Sequence, residues 1–284
     1  MSQSKIIKKM TPFAIAAVLV LTFFMVFAAP ASAADPVCEI IRAGDTFAQY
    51  EDLGDALAAV QDGDTIKLLK KIDYERGISI EDIRVTFDVN GFILNVICSD
   101  ETTERDALDV NRGEVLLIDT SSLGGGEFNV ITRIENRAGV YARSGGKATV
   151  TNAAGDYGVY ANASATVNVF GNVSGAICGV YANGSSAVTI DGVIETENQY
   201  VIVDDTAMSQ TDHRTTSTRP GYLEYASGTG FVWVKDSAAS NGGNSGTDDV
   251  NQTKIGVSLL WLGGLVLVLV LAAAIIFYLK KARK

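Results

Sequence analysis

Tyrosines recur in this sequence inside a repeated phrase, and their type and spacing suit them to bind a ligand. The phrase Gly-Val-Tyr-Ala occurs at residues 139–142, 158–161 and 179–182. Successive side chains of a β-strand point to opposite faces, so inward valines and alanines would send the three tyrosines outward. Tyrosines on neighbouring strands would lie about 5 Å apart, and such a ladder suits sugar rings, which stack on aromatic faces and hydrogen-bond the phenols.

We therefore predict that Tyr141, Tyr160 and Tyr181 form an exposed aromatic ladder that binds a ligand. Two alternatives remain open at this point. The tyrosines could form a stack that only stabilises neighbouring strands, or the register could be inverted, with the tyrosines inside. Arg143 lies beside the row and is a candidate polar partner, although it does not recur in the other copies.

Residues that could catalyse a reaction on a glycan are few. Asp204 and Asp205 are the only adjacent aspartates before residue 237, and His213 is the only histidine. Paired carboxylates hydrolyse glycosides only at defined separations on a rigid site, whereas His213 lies in a threonine-rich stretch typical of a loop. A serine or cysteine nucleophile would depend on His213 as its base. We therefore predict no catalytic residues and no enzymatic activity.

The cysteines do not indicate a metal site or a complete disulfide framework. Three are present, Cys38, Cys98 and Cys178, and an odd number leaves at least one unpaired. Cys38 and Cys98 could pair, whereas Cys178 directly precedes a copy of the phrase and is expected to be a small buried residue. No Cys-x-x-Cys motif occurs, so structural zinc is not expected. We predict no metal and no cofactor.

The charge of the chain restricts its partners. It contains 33 acidic and 23 basic residues, with a formal net charge of −10. An acidic surface repels the phosphate backbone, so nucleic acid is excluded as a partner. The remaining candidates are a surface glycan and another cell-surface protein.

The elements that must position the tyrosines are short strands that recur along the chain. Tyr141, Tyr160, Tyr181 and Tyr200 lie 19, 21 and 19 residues apart, the last in a weaker copy of the phrase. Such a period suits a β-solenoid, in which each coil buries its apolar face by stacking on the next. We expect a β-helix body at residues 72–236, with about seven or eight coils of three short strands each.

Residues 34–71 are predicted to cap the first coil. Leu53, Ala56, Leu57 and Val60 share one face of a short amphipathic helix, and a strand is expected at residues 65–72. The phrase at residues 53–66 resembles the opening of pectin-lyase-like right-handed β-helices, including repetitive β-helical surface proteins of Gram-positive bacteria. The resemblance implies an all-β fold, a right-handed parallel β-helix (solenoid) with a short N-terminal capping helix.

The same resemblance leaves three functions to weigh. A non-enzymatic display, adhesion or glycan-binding module is the one we predict. Pectin-lyase-like folds also host polysaccharide lyases and glycoside hydrolases, and in that alternative Asp204 and Asp205 would be the residues to test. A passive envelope stalk would bind nothing.

The N-terminal residues have the composition of a secretory signal peptide. Residues 1–33 begin with lysines, continue with an apolar run at 13–29 and end in Ala-Ser-Ala. This order of basic, apolar and small residues is typical of a cleaved signal. The part of the chain that follows is therefore predicted to be extracellular.

The C-terminal residues have the composition of a membrane anchor. Residues 255–279 carry no charge and are long enough to cross a hydrocarbon core of about 30 Å as a helix. The basic residues 280–284 that follow predict a cytoplasmic tail, and residues 237–254 read as a flexible linker. This end also resembles the wall-sorting signals of Gram-positive surface proteins, but residues 251–256 match their motif poorly. We therefore predict a single-pass protein of the cell membrane with an N-terminal ectodomain.

Overall fold

The computed structural model describes residues 35–99 and 106–238. The predicted signal peptide, membrane-spanning segment and cytoplasmic tail lie outside the described residues, as does the predicted linker from residue 239 onward. Within the described part of the chain, no helix is long and apolar enough to cross a bilayer. That part is mostly β-strand, with one short helix and two sheets in which most neighbouring strands are parallel. The prediction of an all-β fold is confirmed.

The elements of the described residues alternate strand after strand, with the helix near the beginning. They are β1 (Cys38–Arg42), β2 (Asp45–Tyr50), α1 (Leu53–Ala59), β3 (Thr65–Leu68), β4 (Ile72–Tyr74), β5 (Ile78–Glu81), β6 (Arg84–Asp88), β7 (Ile93–Cys98), β8 (Leu108–Asn111), β9 (Glu114–Ile118), β10 (Glu127–Thr132), β11 (Ala138–Arg143), β12 (Lys147–Val150), β13 (Asn152–Ala161), β14 (Thr166–Val169), β15 (Val173–Ala182), β16 (Ala187–Ile190), β17 (Ile194–Thr196), β18 (Gln199–Val203), β19 (Thr206–Met208), β20 (Tyr222–Ser227) and β21 (Gly230–Lys235).

The first sheet has the strand order β2-β1-β3-β6-β9-β12-β14-β16-β21-β20. Neighbours from β3 to β21 are parallel, and antiparallel pairs close both ends. Alternate residues of these strands point inward, and those in register form a fully buried apolar column. The column consists of Val85, Val115, Ala148, Val167, Val188 and Val232.

The second sheet contains two rows of parallel strands that share β13 and β15. The Asn row consists of β4, β7, β10, the first halves of β13 and β15, and β17. The Tyr row consists of β5, β8, β11, the second halves of β13 and β15, and β18. The inward side chains of both sheets belong to one hydrophobic cluster. Each row therefore presents an outer face whose side chains recur in register.

Polar side chains form a hydrogen-bonded column on the outer face of the Asn row. Asp73, Asn95, Asn129 and Asn152 are in register on successive strands. The Asn95 amide donates to Asp73 at 2.7 Å, Asn129 donates to Asn95 at 3.1 Å, and Asn152 donates to Asn129 at 2.8 Å. The side chains thus repeat the pairing of the backbone, which fixes the register of these strands.

The N-terminal part of the fold contains the predicted helix and an additional strand. Asp52 caps α1 by accepting a hydrogen bond from the Gly54 N–H at 2.7 Å, and Leu53 and Ala56 are buried as the helical spacing predicts. Strand β2, paired with β1, was not predicted. The strand predicted at residues 65–72 is present as β3 but ends at Leu68, because the chain turns there and enters the second sheet as β4.

The number of parallel strands can be compared with the seven or eight coils that the repeat period predicts. Among the described residues, seven strands of the first sheet, β3 to β16 followed by β21, run parallel in chain order. Each row of the second sheet contains six. The aromatic strands β20 and β21 form a hairpin at the far end, as expected.

Candidate functional site

The three predicted tyrosines stand in register on neighbouring strands of the Tyr row. Tyr141 pairs with Tyr160, and Tyr160 pairs with Tyr181. Ring centroids are 5.3 Å apart in the first pair, which is edge-on, and 4.5 Å apart in the second, which is stacked at an interplanar angle of 11°. The valines before them are fully buried, and the tyrosines are half-buried on the outer face. The inverted register is therefore wrong, and we call Tyr141, Tyr160 and Tyr181 the tyrosine ladder.

Glycine occupies the first position of the phrase for a steric reason. A Cβ on Gly158 would lie 2.3 Å from Val173 Cγ1 and 2.7 Å from the Gly179 carbonyl oxygen. A Cβ on Gly179 would lie 2.2 Å from Ile194 Cγ2. These contacts occur where β13 and β15 bend between the two rows, so the bend brings backbone and side chains too close for any larger residue.

The fourth copy of the phrase does not extend the ladder. On β18, Val201 pairs with Val180 and Ile202 pairs with Tyr181, so Tyr200 falls at the glycine position. Its ring packs on Tyr225, with centroids 5.6 Å apart. Strand β18 is followed by antiparallel β19, so no further parallel strand requires glycine there. The weaker copy therefore keeps the spacing of the repeat but does not place its tyrosine at the ladder position.

A further tyrosine belongs to the same surface, although the repeat does not reveal it. The ring of Tyr157 lies edge-on to Tyr160 at 5.5 Å and to Tyr181 at 6.4 Å between centroids. The pairing of β13 with β15 shifts between Gly155 and Tyr157. The alternation of inward and outward residues in a regular strand does not predict such a shift. The only feature of the sequence that points to Tyr157 is that it lies three residues before Tyr160.

One end of the ladder carries an ion pair. Asp109 on β8 pairs in register with Tyr141, and Ser79 on β5 follows Asp109. The Arg143 guanidinium donates two hydrogen bonds to the Asp109 carboxylate, from Nε to Oδ1 at 3.2 Å and from Nη2 to Oδ2 at 3.0 Å. The Arg143 Cζ lies 5.5 Å from the Tyr141 ring centroid. The hydrogen bond to Asp109 raises the pKa of Arg143. Arg143 is therefore a polar neighbour of the ladder, and the carboxylate of Asp109 neutralises its charge.

Two adjoining clefts open at this end. One has a volume of about 360 Å³ and the other about 200 Å³, and both are lined by Asp106, Arg137 and Tyr141. Burial raises the pKa of Asp106, whose Oδ1 accepts a hydrogen bond from the Ala138 N–H at 2.6 Å. The clefts provide carboxylate, guanidinium and phenol groups directly beside the rings.

The other end of the ladder is fixed by the adjacent aspartates. Asp204 accepts backbone N–H hydrogen bonds from Thr229 at 2.7 Å, Gly184 at 2.8 Å and Gly230 at 3.0 Å, and these lower its pKa. The Tyr181 hydroxyl donates a hydrogen bond to Asp205, which raises the pKa of Tyr181 to about 12. Both carboxylates thus have structural partners, and Asp204 has little capacity left for a substrate.

His213 lies in the irregular segment before β20. Its Nδ1 is 3.1 Å from the Arg214 carbonyl oxygen, and its ring is edge-on to Tyr225 at 6.2 Å. Among the described residues it forms no hydrogen bond with Asp204 or Asp205. The structure therefore does not assemble these residues into an acid–base pair.

The cysteines and possible metal ligands add no second site to this surface. Cys38, Cys98 and Cys178 are buried and free, so Cys38 and Cys98 do not pair in this structure. Burial raises the pKa of Cys178 to about 11, and its Sγ donates to the Val180 carbonyl at 3.2 Å. In the described ranges, no group of three or more His, Cys, Asp or Glu residues is arranged to hold a metal ion.

Comparisons with known proteins identify no relative. The chain matches no protein-family model, and searches of curated proteins and of solved structures found no significant match. The resemblance of residues 53–66 to pectin-lyase-like β-helices stays a prediction.

Proposed function

We propose that this chain is a right-handed parallel β-helix of the cell surface, whose tyrosine ladder binds a glycan without catalysing a reaction on it. The observation that carries the proposal is the exact repeat of an outward tyrosine on three neighbouring strands, with rings in contact. The need to fill the core explains why valine recurs in the phrase. It does not explain why each of the three strands also carries a half-buried tyrosine on its outer face. A recurring aromatic residue on the outer face is better explained by binding.

The pairing of the strands supports the β-helix. Each row of the second sheet and the centre of the first sheet consist of parallel strands that follow one another in chain order. Connections between parallel strands are right-handed in about 98% of cases, which favours a right-handed coil. The capping helix that resembles those of pectin-lyase-like proteins agrees with this architecture.

The chemistry of the ladder favours a glycan made of uncharged units. Asn162 and Asn183 follow Tyr160 and Tyr181 by two residues, the spacing of side chains on one face of a strand, so each would supply an amide near its ring for a sugar hydroxyl. Arg143 is paired with Asp109, and Asp205 lies at the opposite end. An acidic polysaccharide would meet these carboxylates without a free guanidinium at Arg143 to balance them.

The spacing of the rings favours a linear chain that runs across the strands. Neighbouring strands lie about 4.8 Å apart, and a hexose unit linked through its opposite ends has about the same length. Successive sugar units would then meet successive tyrosines. The signal peptide and membrane segment predicted at residues 1–33 and 255–279 would place the ladder outside the cell.

Glycan binding by wild-type and variant full-length protein tests the proposal. We expect binding to neutral linear polysaccharides on a glycan array, weakened by roughly two- to tenfold in Kd by Tyr160→Ala, since an aromatic contact contributes about 0.5–1.5 kcal/mol. The triple variant Tyr141→Ala, Tyr160→Ala, Tyr181→Ala should not bind.

Phe170→Ala is the matched control, because Phe170 is an exposed aromatic residue that follows β14 of the first sheet. Binding should survive this change. Glycan binding that persists in the triple variant would place the site elsewhere. Wild-type protein that binds no glycan but a surface protein, or nothing, would favour the adhesion or stalk alternatives, and cleavage of a polysaccharide lost in Asp205→Asn would favour the enzyme.

A further inference from the structure

Tyr160 and Tyr181 are arranged differently from every other pair of tyrosines among the described residues. Their rings are stacked, with centroids 4.5 Å apart and planes within 11°. The rings of Tyr141 and Tyr157 meet Tyr160 edge-on, at interplanar angles of 86° and 77°. Of the tyrosine pairs in the described part of the chain, the Tyr160–Tyr181 pair alone has its two ring faces, and with them the carbons ortho to the hydroxyls, turned to one another.

A proton acceptor is in place for this pair. The Tyr181 hydroxyl donates its hydrogen bond to a carboxylate oxygen of Asp205. Asp205 is held in position by its neighbour Asp204, whose carboxylate accepts three backbone N–H groups. Oxidation of a phenol by one electron makes it strongly acidic, so a carboxylate already hydrogen-bonded to the hydroxyl can take the proton as the electron leaves.

We infer that Tyr160 and Tyr181 form an oxidative cross-linking site, at which a one-electron oxidant of the peroxidase and peroxide class joins the two rings as dityrosine. Each phenol gives one electron to the oxidant and loses one proton; the Tyr181 proton goes to Asp205, and the Tyr160 proton goes to solvent. The two phenoxyl radicals form a carbon–carbon bond between one Cε of each ring, and each ring then transfers the hydrogen of that carbon to its oxygen. In sum, two phenols and one hydrogen peroxide give one biphenol and two waters.

The surrounding tyrosines would pass radicals to the stacked pair rather than form cross-links of their own. Tyr141 and Tyr157 are in ring contact with Tyr160, so a radical formed on either ring can pass to the stacked pair. Their edge-on contacts do not bring ortho carbons face to face. The product would join β13 to β15 covalently and hold two neighbouring strands of the Tyr row together.

Peptide mapping of the oxidised full-length protein tests this inference. Dilute protein is treated with a haem peroxidase and hydrogen peroxide, and dityrosine fluorescence is recorded over time. No lysine or arginine occurs between Lys147 and Arg214, so trypsin leaves both tyrosines in one peptide, residues 148–214. We expect that peptide to lose the mass of two hydrogen atoms while the protein stays monomeric on a denaturing gel. Chymotrypsin cuts after Phe170, between the two tyrosines, and should yield two joined fragments.

Conservative variants separate the stacked pair from its neighbours. Tyr160→Phe and Tyr181→Phe should each abolish the cross-link within the chain, and Asp205→Asn should slow its formation severalfold. Tyr141→Phe and Tyr222→Phe should retain it, because Tyr141 is edge-on and Tyr222 lies on β20 of the other sheet.

Three results would overturn the inference. One is a cross-link that survives in Tyr181→Phe. Another is dityrosine found only between chains, or between Tyr141 and Tyr160, which would join two different tryptic peptides. The third is the absence of dityrosine under conditions that couple free tyrosine.

Discussion

At the scale of single residues, the glycines of the repeated phrase are as informative as the tyrosines. Gly139, Gly158 and Gly179 each lie where a Cβ would collide with a neighbouring strand. None of the three has a positive φ, so close approach explains the requirement and backbone conformation does not. Glycine at the first position therefore marks the bend between the two rows of the second sheet.

Replacing Gly158 with alanine should destabilise the protein through this contact. The new Cβ would lie 2.3 Å from Val173 Cγ1, in a buried and well-packed place, and overpacking of this kind typically costs about 1–3 kcal/mol. Gly124→Ala is the comparison, because Gly124 has open space around it and a φ of +62°, so only backbone strain opposes its change. Urea denaturation followed by circular dichroism measures both. Equal stability of the wild type and Gly158→Ala would contradict the steric argument.

The residues of the ladder could be predicted from sequence, but the ends of the ladder could not. Alternation placed the valines inside and Tyr141, Tyr160 and Tyr181 outside, as the structure has them. Spacing alone does not show that Tyr200 lies outside the ladder, because a period of about 20 residues does not distinguish the tyrosine position from the glycine position two residues earlier. Tyr157 reaches the ladder through a shift in the pairing of β13 with β15. Asp109 reaches it because β8, more than thirty residues earlier in the chain, pairs with β11. Neither position is marked by a pattern in the neighbouring sequence.

At the scale of elements, the segment between β19 and β20 is held on the first sheet by one buried carboxylate. Glu224 has no exposed surface; its Oε1 accepts Arg214 Nη1 at 2.8 Å, and its Oε2 accepts the Thr218 N–H at 2.6 Å and Trp233 Nε1 at 3.1 Å. Burial by itself raises the pKa of this carboxyl group, but the hydrogen bonds and the charge of Arg214 outweigh it, and the net pKa is lowered. The irregular segment is thereby attached to the β20–β21 hairpin.

This arrangement predicts a loss of stability in acid. The unfolded chain holds this group at its ordinary pKa of about 4.3, so the lower pKa in the fold stabilises the protein above that pH. The contribution is lost as the pH falls through the folded pKa. Glu224→Gln should unfold more easily at neutral pH, by about 1–3 kcal/mol, and should lose less stability than the wild type on acidification.

Urea titrations at neutral pH and at about pH 3 test this expectation. Glu197→Gln is the matched control, since Glu197 is exposed and the change in charge is the same. If Glu224→Gln and Glu197→Gln show the same dependence on pH, the carboxylate of Glu224 does not couple folding to protonation.

The elements whose own residues show a clear apolar or aromatic pattern could be predicted from the sequence. A strand that forms only because a neighbouring strand pairs with it could not. The apolar spacing of residues 53–60 predicts α1, and the aromatic runs at residues 221–225 and 231–235 predict β20 and β21. Strand β2 is largely exposed and has no such alternation. It follows β1 through a two-residue turn, Ala43 and Gly44, both with positive φ. Such turns are usually marked by Asn-Gly or Asp-Gly, and Ala-Gly gives only a weak signal.

At the scale of the whole molecule, stability depends on columns of inward side chains that pass from strand to strand. In the Tyr row one such column consists of Ile78, Leu108, Val140, Val159, Val180 and Val201, and none is more than 2% exposed. In a stacked repeat each unit is stabilised mainly by its two neighbours. A defect in the middle of a column therefore weakens the interfaces on both of its sides.

Val159→Asp tests this dependence most directly, because Val159 is fully buried between Val140 and Val180. A carboxylate there would be buried without a partner, and the strands on both sides would lose their packing with β13. We expect most of the strand signal in circular dichroism to be lost. Tyr160→Asp adds the same group one residue later, on the half-buried outer face, and should leave the strand signal intact. Because the two variants place the same carboxylate on opposite sides of one strand, similar unfolding of both would mean that the assigned register is wrong, and with it the outward-facing tyrosine ladder.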